Sequence, residues 1–333
     1  MITIDISEKP DSDWNKRLEN SPLGTIYQTK EYALLIKSQL KSKPIYLKFF
    51  DNKGSILGQL LLFQTFRGRK KLAKFFGRGK LFSSLTKISK ILPQEVFWTY
   101  GPVIFDTQNN NDIMKSLGAF IIKNHYYFYG NSHPLNTNCI FPQYFNFKTK
   151  TIGTFIINLK LGSEKIIQNS DKHSVQKNIE RAKQRGVRVS EVKNTQDLVT
   201  YYELLNEFRH ANNLTLYSYE DVVEGFQFVK NIGQMGFLAW YNEIPIGGIF
   251  ISSFNKYINE WGIARTLLDS EKKLYSLDLL RWEIIEWGIK NNMNYYDLSG
   301  VEIKNRSAKE DGIFRNKRKW GGSLIEYSSF TNF

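Results

Sequence analysis

Two C-terminal stretches of this sequence concentrate the chemistry. Tyr295-Tyr296-Asp297-Leu298-Ser299-Gly300 reads as a short buried strand that ends in a carboxylate and a glycine turn. After a polar loop, Gly312-Ile313-Phe314-Arg315-Asn316-Lys317-Arg318-Lys319-Trp320-Gly321-Gly322 is a basic segment framed by glycines, which lets backbone come close to a ligand. A pocket of this make-up suits an anion. Lys317 is the first choice for electrostatic work, with a solvated basic turn as the alternative. Arg315 either clamps a phosphate bidentately or lies on the surface. Asp297 stands at a strand end, a usual place for ligands in α/β sheets. It either takes a proton or orients a neighbour there, or it caps the Ser299-Gly300 turn.

A third carboxylate, Glu260, lies in Tyr257-Ile258-Asn259-Glu260-Trp261-Gly262. Alternation puts Tyr257, Asn259 and Trp261 on one face and Ile258, Glu260 and Gly262 on the other. A Glu between apolar neighbours on a central strand is costly unless paired. Glu260 therefore either does acid–base work or contacts an amine, or it closes an internal salt bridge. Tyr257 and Trp261 are candidate substrate contacts on the opposite face.

The elements that must position these groups occur twice. In the first half, helices at 14–18 and 30–40 precede strands at Pro44 to Phe50 and Ile56 to Phe66, with a turn at Asp51-Asn52-Lys53-Gly54. A strand at Val96 to Ile104, a helix at Asp112 to Asn124 and a strand at Tyr126 to Tyr129 follow. In the second half, Phe237 to Tyr241 turns through Asn242-Glu243-Ile244-Pro245 into Ile246 to Phe254. Then come a strand at Tyr257 to Ala264, a helix at Ser276 to Lys290 and a strand at Tyr295 to Leu298. The order predicts an internal duplication. From the turn to the closing strand the first copy is longer by 22 residues, and its basic insertion at 67–92 lies in that excess. The expected organisation is a first lobe at 1–150, a second at 151–322, and a strand at 323–333 that returns to the first lobe.

At 333 residues, 41% hydrophobic and 15% aromatic, the chain is long and apolar enough for two cores. The net charge of +14 is local. Residues 67–92 hold nine basic side chains and no acidic one, 172–188 six against one, and 304–319 seven against two. Such clustering fits specific anionic partners. Within Asp171 to Arg185, Val175, Ile179 and Ala182 form an apolar helical stripe, and His173, Lys177, Arg181 and Arg185 recur every fourth residue on another side. The insertion mixes Arg69, Lys70, Lys71 and Lys74 with aromatics. Through 66–82 it could lie on an anionic membrane, grip RNA phosphates, or form a solvated loop. The four scattered histidines and the lone Cys139 predict no metal site and no disulfide. With no leader and no apolar span, the expected location is the cytoplasm.

The strand closing in Asp297 and Gly300, followed by Gly312, Ile313-Phe314, Arg315, Lys317, Trp320 and Gly321, resembles the Fem family of aminoacyltransferases. The run Asn178-Ile179-Glu180-Arg181-Ala182-Lys183-Gln184-Arg185-Gly186-Val187 is similar to a basic helix of that family. One departure is Asn316, where the family usually has an aromatic residue. The resemblance implies an α/β fold of two tandem acetyltransferase-like (GNAT) lobes, each a mixed sheet flanked by helices. It implies transfer of an aminoacyl or acyl group to an amine of a phosphate-bearing cell-envelope precursor, as in peptidoglycan bridge formation, in a cleft between the lobes. Aminoacyl-tRNA is the expected donor, with no bound cofactor. The resemblance puts a substrate- or oxyanion-facing Lys at Lys317. It also points to Arg209, in the helix Leu198 to Ala211, and to Tyr217 in the loop after it as substrate contacts. Lys177, Arg181 and Arg185 are candidates for contact with tRNA or membrane. Two alternatives stand beside this reading: acyl-CoA-dependent N-acylation of a sugar or lipid-linked sugar, and a non-catalytic RNA or membrane-surface binder. The CoA-binding pattern of ordinary acetyltransferases is missing from the sequence.

Overall fold

The computed structural model describes residues 2–68 and 92–333. The chain divides into two compact units, one formed by the residues up to Ile152 with Glu326–Phe333 and the other by Gly153–Ile325. Arg69, Lys70, Lys71 and Lys74, and with them most of the predicted 66–82 surface, lie outside the described residues.

In the first unit the chain runs β1 (Thr3–Ser7), α1 (Trp14–Glu19), α2 (Lys30–Leu40), β2 (Lys43–Phe50), β3 (Ile56–Phe66), β4 (Gln94–Trp98), β5 (Val103–Ile104), α3 (Asn110–Lys123) and β6 (Tyr127–Asn131). Its sheet has the order β1-β2-β3-β4-β6, with β5 on β3. Asp51 sets the β2–β3 turn by accepting the amide N–H groups of Lys53 (2.9 Å) and Ser55 (2.8 Å). The expected single strand over Val96 to Ile104 is broken in two. Tyr100 takes a left-handed conformation (φ 47°), and its N–H donates to the Asn131 side chain at 2.8 Å, so the chain leaves the sheet between β4 and β5. Leu47, Phe49, Leu60, Leu62, Trp98, Leu117 and Phe128 make up much of this unit's core. Each such side chain contributes roughly 1.5–3 kcal/mol on burial.

The chain continues as β7 (Lys148–Asn158), α4 (Gly162–Asn169), a π turn (Lys172–Gln176), α5 (Lys177–Gln184), β8 (Arg188–Glu191), α6 (Thr195–Ala211), α7 (Gly225–Val229), β9 (Gln234–Tyr241), β10 (Ile244–Phe254), β11 (Tyr257–Arg265), α8 (Leu267–Glu271), α9 (Ser276–Lys290), β12 (Tyr295–Val301) and α10 (Ala308–Arg318). A last strand, β13 (Ser323–Thr331), runs antiparallel to β6 through Ser329↔Asn131, Phe330↔Gly130 and Thr331↔Tyr129. The sheet of the second unit has the order β7-β12-β11-β10-β9-β8. Helix α9 packs on one of its faces through Leu279, Leu280, Ile284 and Ile285. Helix α6 packs elsewhere on it, with Leu198, Tyr201, Leu204 and Leu205 around Leu238, Phe250 and Ala264. Both units repeat the same succession of antiparallel hairpin, third strand, helix and parallel fourth strand. The parallel pairs are β4–β6 and β11–β12.

Two local expectations are corrected. The glycine-framed basic stretch around Lys317 is a helix, and its glycines do not open it to a ligand. Ser307 and Glu310 form a capping box at its start, each side chain bonding the other's backbone N–H. Gly321 and Gly322 do allow close approach, but of the protein's own backbone: a Cβ on Gly321 would meet the Asn169 carbonyl oxygen at 2.3 Å and one on Gly322 the Ile156 oxygen at 2.9 Å. Strict alternation along β11 also fails. The pairing to β10 passes from Ile251↔Glu260 to Phe250↔Gly262, so Trp261 is the extra residue of a bulge. Gly262 is thereby turned away from the Glu260 face and lies under Tyr201 of α6.

This last contact predicts a mutational rescue. A Cβ on Gly262 would sit 2.3 Å from the Tyr201 hydroxyl, and the next nearest atom is the ring carbon bearing it, at 3.6 Å. Gly262→Ala is expected to destabilise by roughly 1–3 kcal/mol through overpacking. Adding Tyr201→Phe should restore most of that loss, as read from thermal or denaturant unfolding. Equal melting of the single and double variants would count against the contact.

Candidate active site

Strands β11 and β12 pair over Tyr257↔Tyr295, Ile258↔Tyr296 and Asn259↔Asp297 and then part. The bulge at Trp261 bends one strand. On the other, β12 shifts register against β7 between Asp297 and Gly300, with Ser299 at φ 66°. Polar side chains gather at this fork on both faces.

On one face the fully buried Asp297 carboxylate accepts hydrogen bonds from the Tyr257 hydroxyl (2.9 Å), the Asn259 amide (3.1 Å), the Ser299 backbone N–H (2.8 Å) and the Thr154 hydroxyl. On the other, Glu260 is 4% exposed and takes Arg281 of α9 as a bidentate partner, Nε at 2.9 Å and Nη2 at 3.0 Å, together with the Tyr296 hydroxyl at 2.7 Å. Arg281 gives Nη1 to the Asn316 side-chain oxygen at 2.6 Å. Lys317, 8% exposed, donates to the carbonyls of Ser299 (3.0 Å) and Gly300 (3.1 Å). An ammonium has three N–H groups, so one is left over beyond these two bonds. The polar ends of α9, α10, β11 and β12 are thus joined in one network. Among the described residues every buried charged side chain (Glu260, Asp269, Asp278, Arg281, Asp297 and Lys317) belongs to the second unit.

Burial pushes the Lys317 amine below the ordinary 10.5. Glu260 counteracts this, Arg281 adds to it, and Asp297 again opposes it. For Glu260 burial works upward, but Arg281, Lys317 and the Tyr296 hydroxyl together outweigh it, and the carboxyl ends below its ordinary 4.5. Glu260 and Asp297 are therefore engaged by internal donors and hold the fork in shape. For Glu260 this is the salt-bridge alternative. Asp297 caps the Ser299 turn.

At the N-terminus of α9, the Ser276 N–H donates to the Asp269 carboxylate at 2.9 Å. Asp278 lies buried in the first helical turn, bridged to Lys319 at 2.6 Å and accepting from Asn178 at 2.9 Å. Burial raises the Asp269 carboxyl above its ordinary value. A helix start that would otherwise suit a phosphate is held by the protein's own carboxylates.

The other predicted residues divide. Arg209 is half-buried, stacks over Tyr217 at 4.2 Å and donates to the Thr215 carbonyl at 2.5 Å, which pins the loop after α6. Burial pushes the hydroxyl of Tyr201, on the same helix as Arg209, well above its ordinary value. Trp261 is half-buried and packs with the α6 cluster. Arg315 is exposed on α10 and stands outside the network. Arg181 is exposed and Lys177 half-buried on α5, and Arg185, exposed, is the residue that caps its C-terminus. Arg281, Asn316, Asn259, Thr154 and Ser299 were not singled out from sequence. Arg281 reads as an ordinary helix charge, and only its distance to Glu260 reveals it. A groove of about 330 Å³ beside α6, lined in part by Glu203, Glu207, Ile244 and Thr266, includes none of the predicted site residues.

No protein-family model matches the chain, and no curated protein matches its sequence. Solved structures do match. FemX is similar at 11% identity over 97% of this chain and 96% of that chain, with a TM-score of 0.71. The C-terminal domain of a putative lysylphosphatidylglycerol synthetase from Agrobacterium fabrum is similar at 9% identity over 96% and 93%, with a TM-score of 0.58. A tandem GNAT protein from the clavulanic acid biosynthesis pathway is similar at 10% identity over 99% and 98%, with a TM-score of 0.53. At such identities the likeness is one of fold, and it agrees with the repeated strand order and the parallel pair found in each unit. The chain has the Fem-like tandem GNAT fold.

Proposed function

We propose that the protein transfers an aminoacyl or acyl group from an activated ester to an amine, at the fork between β11 and β12. The observation that carries this reading is the Lys317 ammonium, buried and fixed on two carbonyls with one N–H to spare. A donor held in place before reaction stabilises a developing oxyanion without reorganising. In the step, the amine nitrogen attacks the ester carbonyl carbon; a C–N bond forms, the C–O bond breaks, and the proton lost by nitrogen ends on the leaving oxygen. Lys317 donates to the carbonyl oxygen as charge develops there. Glu260, Arg281 and Asp297 keep the two strands apart and Lys317 in register.

The donor this reading favours is an aminoacyl ester of tRNA, and the acceptor an amine of a phosphate-bearing cell-envelope precursor. The carboxylates at the start of α9 disfavour the diphosphate of an acyl-CoA there. The basic residues of α5 favour a longer polyanion. Calorimetric titration separates the donors: aminoacyl-tRNA is expected to bind and CoA is not. Stoichiometric CoA binding would shift the reading to acyl-CoA-dependent N-acylation.

The pH dependence has a defined sign. Because burial lowers the Lys317 pKa, the cation is lost on the alkaline side before pH 10.5 is reached. The transfer rate is expected to fall there while the far-UV circular dichroism stays unchanged. A rate still flat at pH 10.5 would separate Lys317 from the chemistry.

A further inference from the structure

We infer that Arg181, Arg185 and Tyr275 form a stacking platform for unpaired nucleobases of an RNA chain. The guanidinium groups of Arg181 and Arg185 lie over the Tyr275 ring at 5.8 and 5.4 Å from its centroid. Both arginines are exposed, whereas Tyr275 is half-buried and packs against the core of the second unit. The ring is thus the floor and the guanidinium planes are the accessible layer. Each plane is also held from the side: Arg185 by the carbonyls of Lys272 (3.3 Å) and Lys273, Arg181 by the Asn178 side-chain oxygen (3.3 Å). Tyr275 itself sits at φ 60°, a conformation uncommon for a bulky residue, directly before the buried Ser276 that opens α9.

The surroundings select the partner. On the segments that carry these three residues Lys172, Lys183, Lys272 and Lys273 are exposed, against Asp171, Glu180 and Glu271, and Lys272 lies over the Tyr241 ring at 5.3 Å from its centroid. No exposed large hydrophobic side chain stands on α5 or within Lys272–Tyr275, which disfavours insertion of these two segments into a lipid layer. Guanidinium groups held over an aromatic floor, with lysines on the same two segments, suit a single strand whose bases stack while its phosphates meet the cations. The inference rests on the reading that the donor is an RNA ester, and it gives that RNA's unpaired segment a place to dock.

The test reads binding directly, by fluorescence anisotropy of a labelled short single-stranded RNA, with duplex RNA and anionic phospholipid vesicles alongside. Tyr275→Leu is expected to weaken single-strand binding about ten-fold, and Tyr275→Phe to keep it. The double variant Arg181→Lys, Arg185→Lys retains the charge but not the planes. It is expected to lose about ten-fold in affinity with an unchanged slope against salt. It changes only exposed positions, so it decides the matter if Tyr275→Leu fails to fold. Wild-type affinity in the lysine double variant would overturn the platform, as would equal affinity for duplex RNA or retention on vesicles without RNA binding. RNA binding without aminoacyl transfer would leave the platform standing and remove the donor reading. Transfer without single-strand binding would do the reverse.

Discussion

Replacing Lys317 by Met is expected to lower transfer by about 100-fold or more while changing stability only slightly. The first figure follows from the role proposed for Lys317, since removing a positioned donor at a developing oxyanion costs about 10²–10³ in rate. The second follows from two opposed effects. The carbonyls of Ser299 and Gly300 lose their donor, which costs roughly 1–3 kcal/mol. At the same time a buried ammonium, disfavoured enough for its pKa to be lowered, is replaced by an apolar side chain of similar length. Lys317→Arg keeps the charge but brings a planar fork where a compact ammonium fits between two carbonyls, so it is not expected to rescue the rate. Steady-state transfer and a thermal melt on the same preparation check both halves. A Met variant that melts normally and transfers normally would exclude Lys317 from the reaction.

The largest effect on stability is expected from breaking the pair beneath the fork. Glu260→Gln leaves the Arg281 guanidinium, 1% exposed, without its counter-charge, at a cost of roughly 3–5 kcal/mol. Against a total stability of about 5–15 kcal/mol, that is enough to lower the melting temperature sharply. The double change Glu260→Met, Arg281→Met removes both charges, and it is expected to recover a large part of the loss because neither is left buried alone. The same pair sets a pH dependence. The folded pKa of Glu260 lies below 4.5, so the stabilisation it gives is complete above that value and is lost as the pH falls through the lower, folded value. A double-mutant cycle of melts, repeated at acid and neutral pH, reads both effects. Additive single and double variants would show that the two residues do not act as a pair.

Much of the architecture was legible because it is written in short-range signals. The turns at Asp51 and at Asn242-Glu243, the alternation of β2, β3, β9 and β10, and the apolar stripe of α5 each specify a local shape, and their repetition in order gives the tandem fold. The site was less legible, because it depends on contacts that no spacing reveals. Glu260 was singled out from its cost on a central strand, but its partner Arg281 sits on a helix where an arginine ordinarily faces water. Asn316 breaks the aromatic-Lys pattern of the family, yet it is the residue that receives Arg281, and sequence comparison registers it only as a departure. Helix α10 could have been read from Ser307 and Glu310 in their capping spacing; the glycines on either side of Lys317 drew attention to close approach of a ligand instead. The Trp261 bulge turned Gly262 to the other face, and a single extra residue of that kind leaves no mark in an alternating strand. The charges at 67–92 were visible from composition alone, whereas their use depends on residues outside the described structure.

One comparison tests the proposed role of Lys317 most directly. Wild-type protein and Lys317→Met, each shown to be folded by its melt, are incubated with isotope-labelled aminoacyl-tRNA and a cell-envelope extract, and the amide-linked product is measured by mass spectrometry. The expected result is labelled product from the wild type and about a hundredth of it or less from the variant. Equal product from both, or none from the wild type while labelled acyl-CoA gives product, would contradict it.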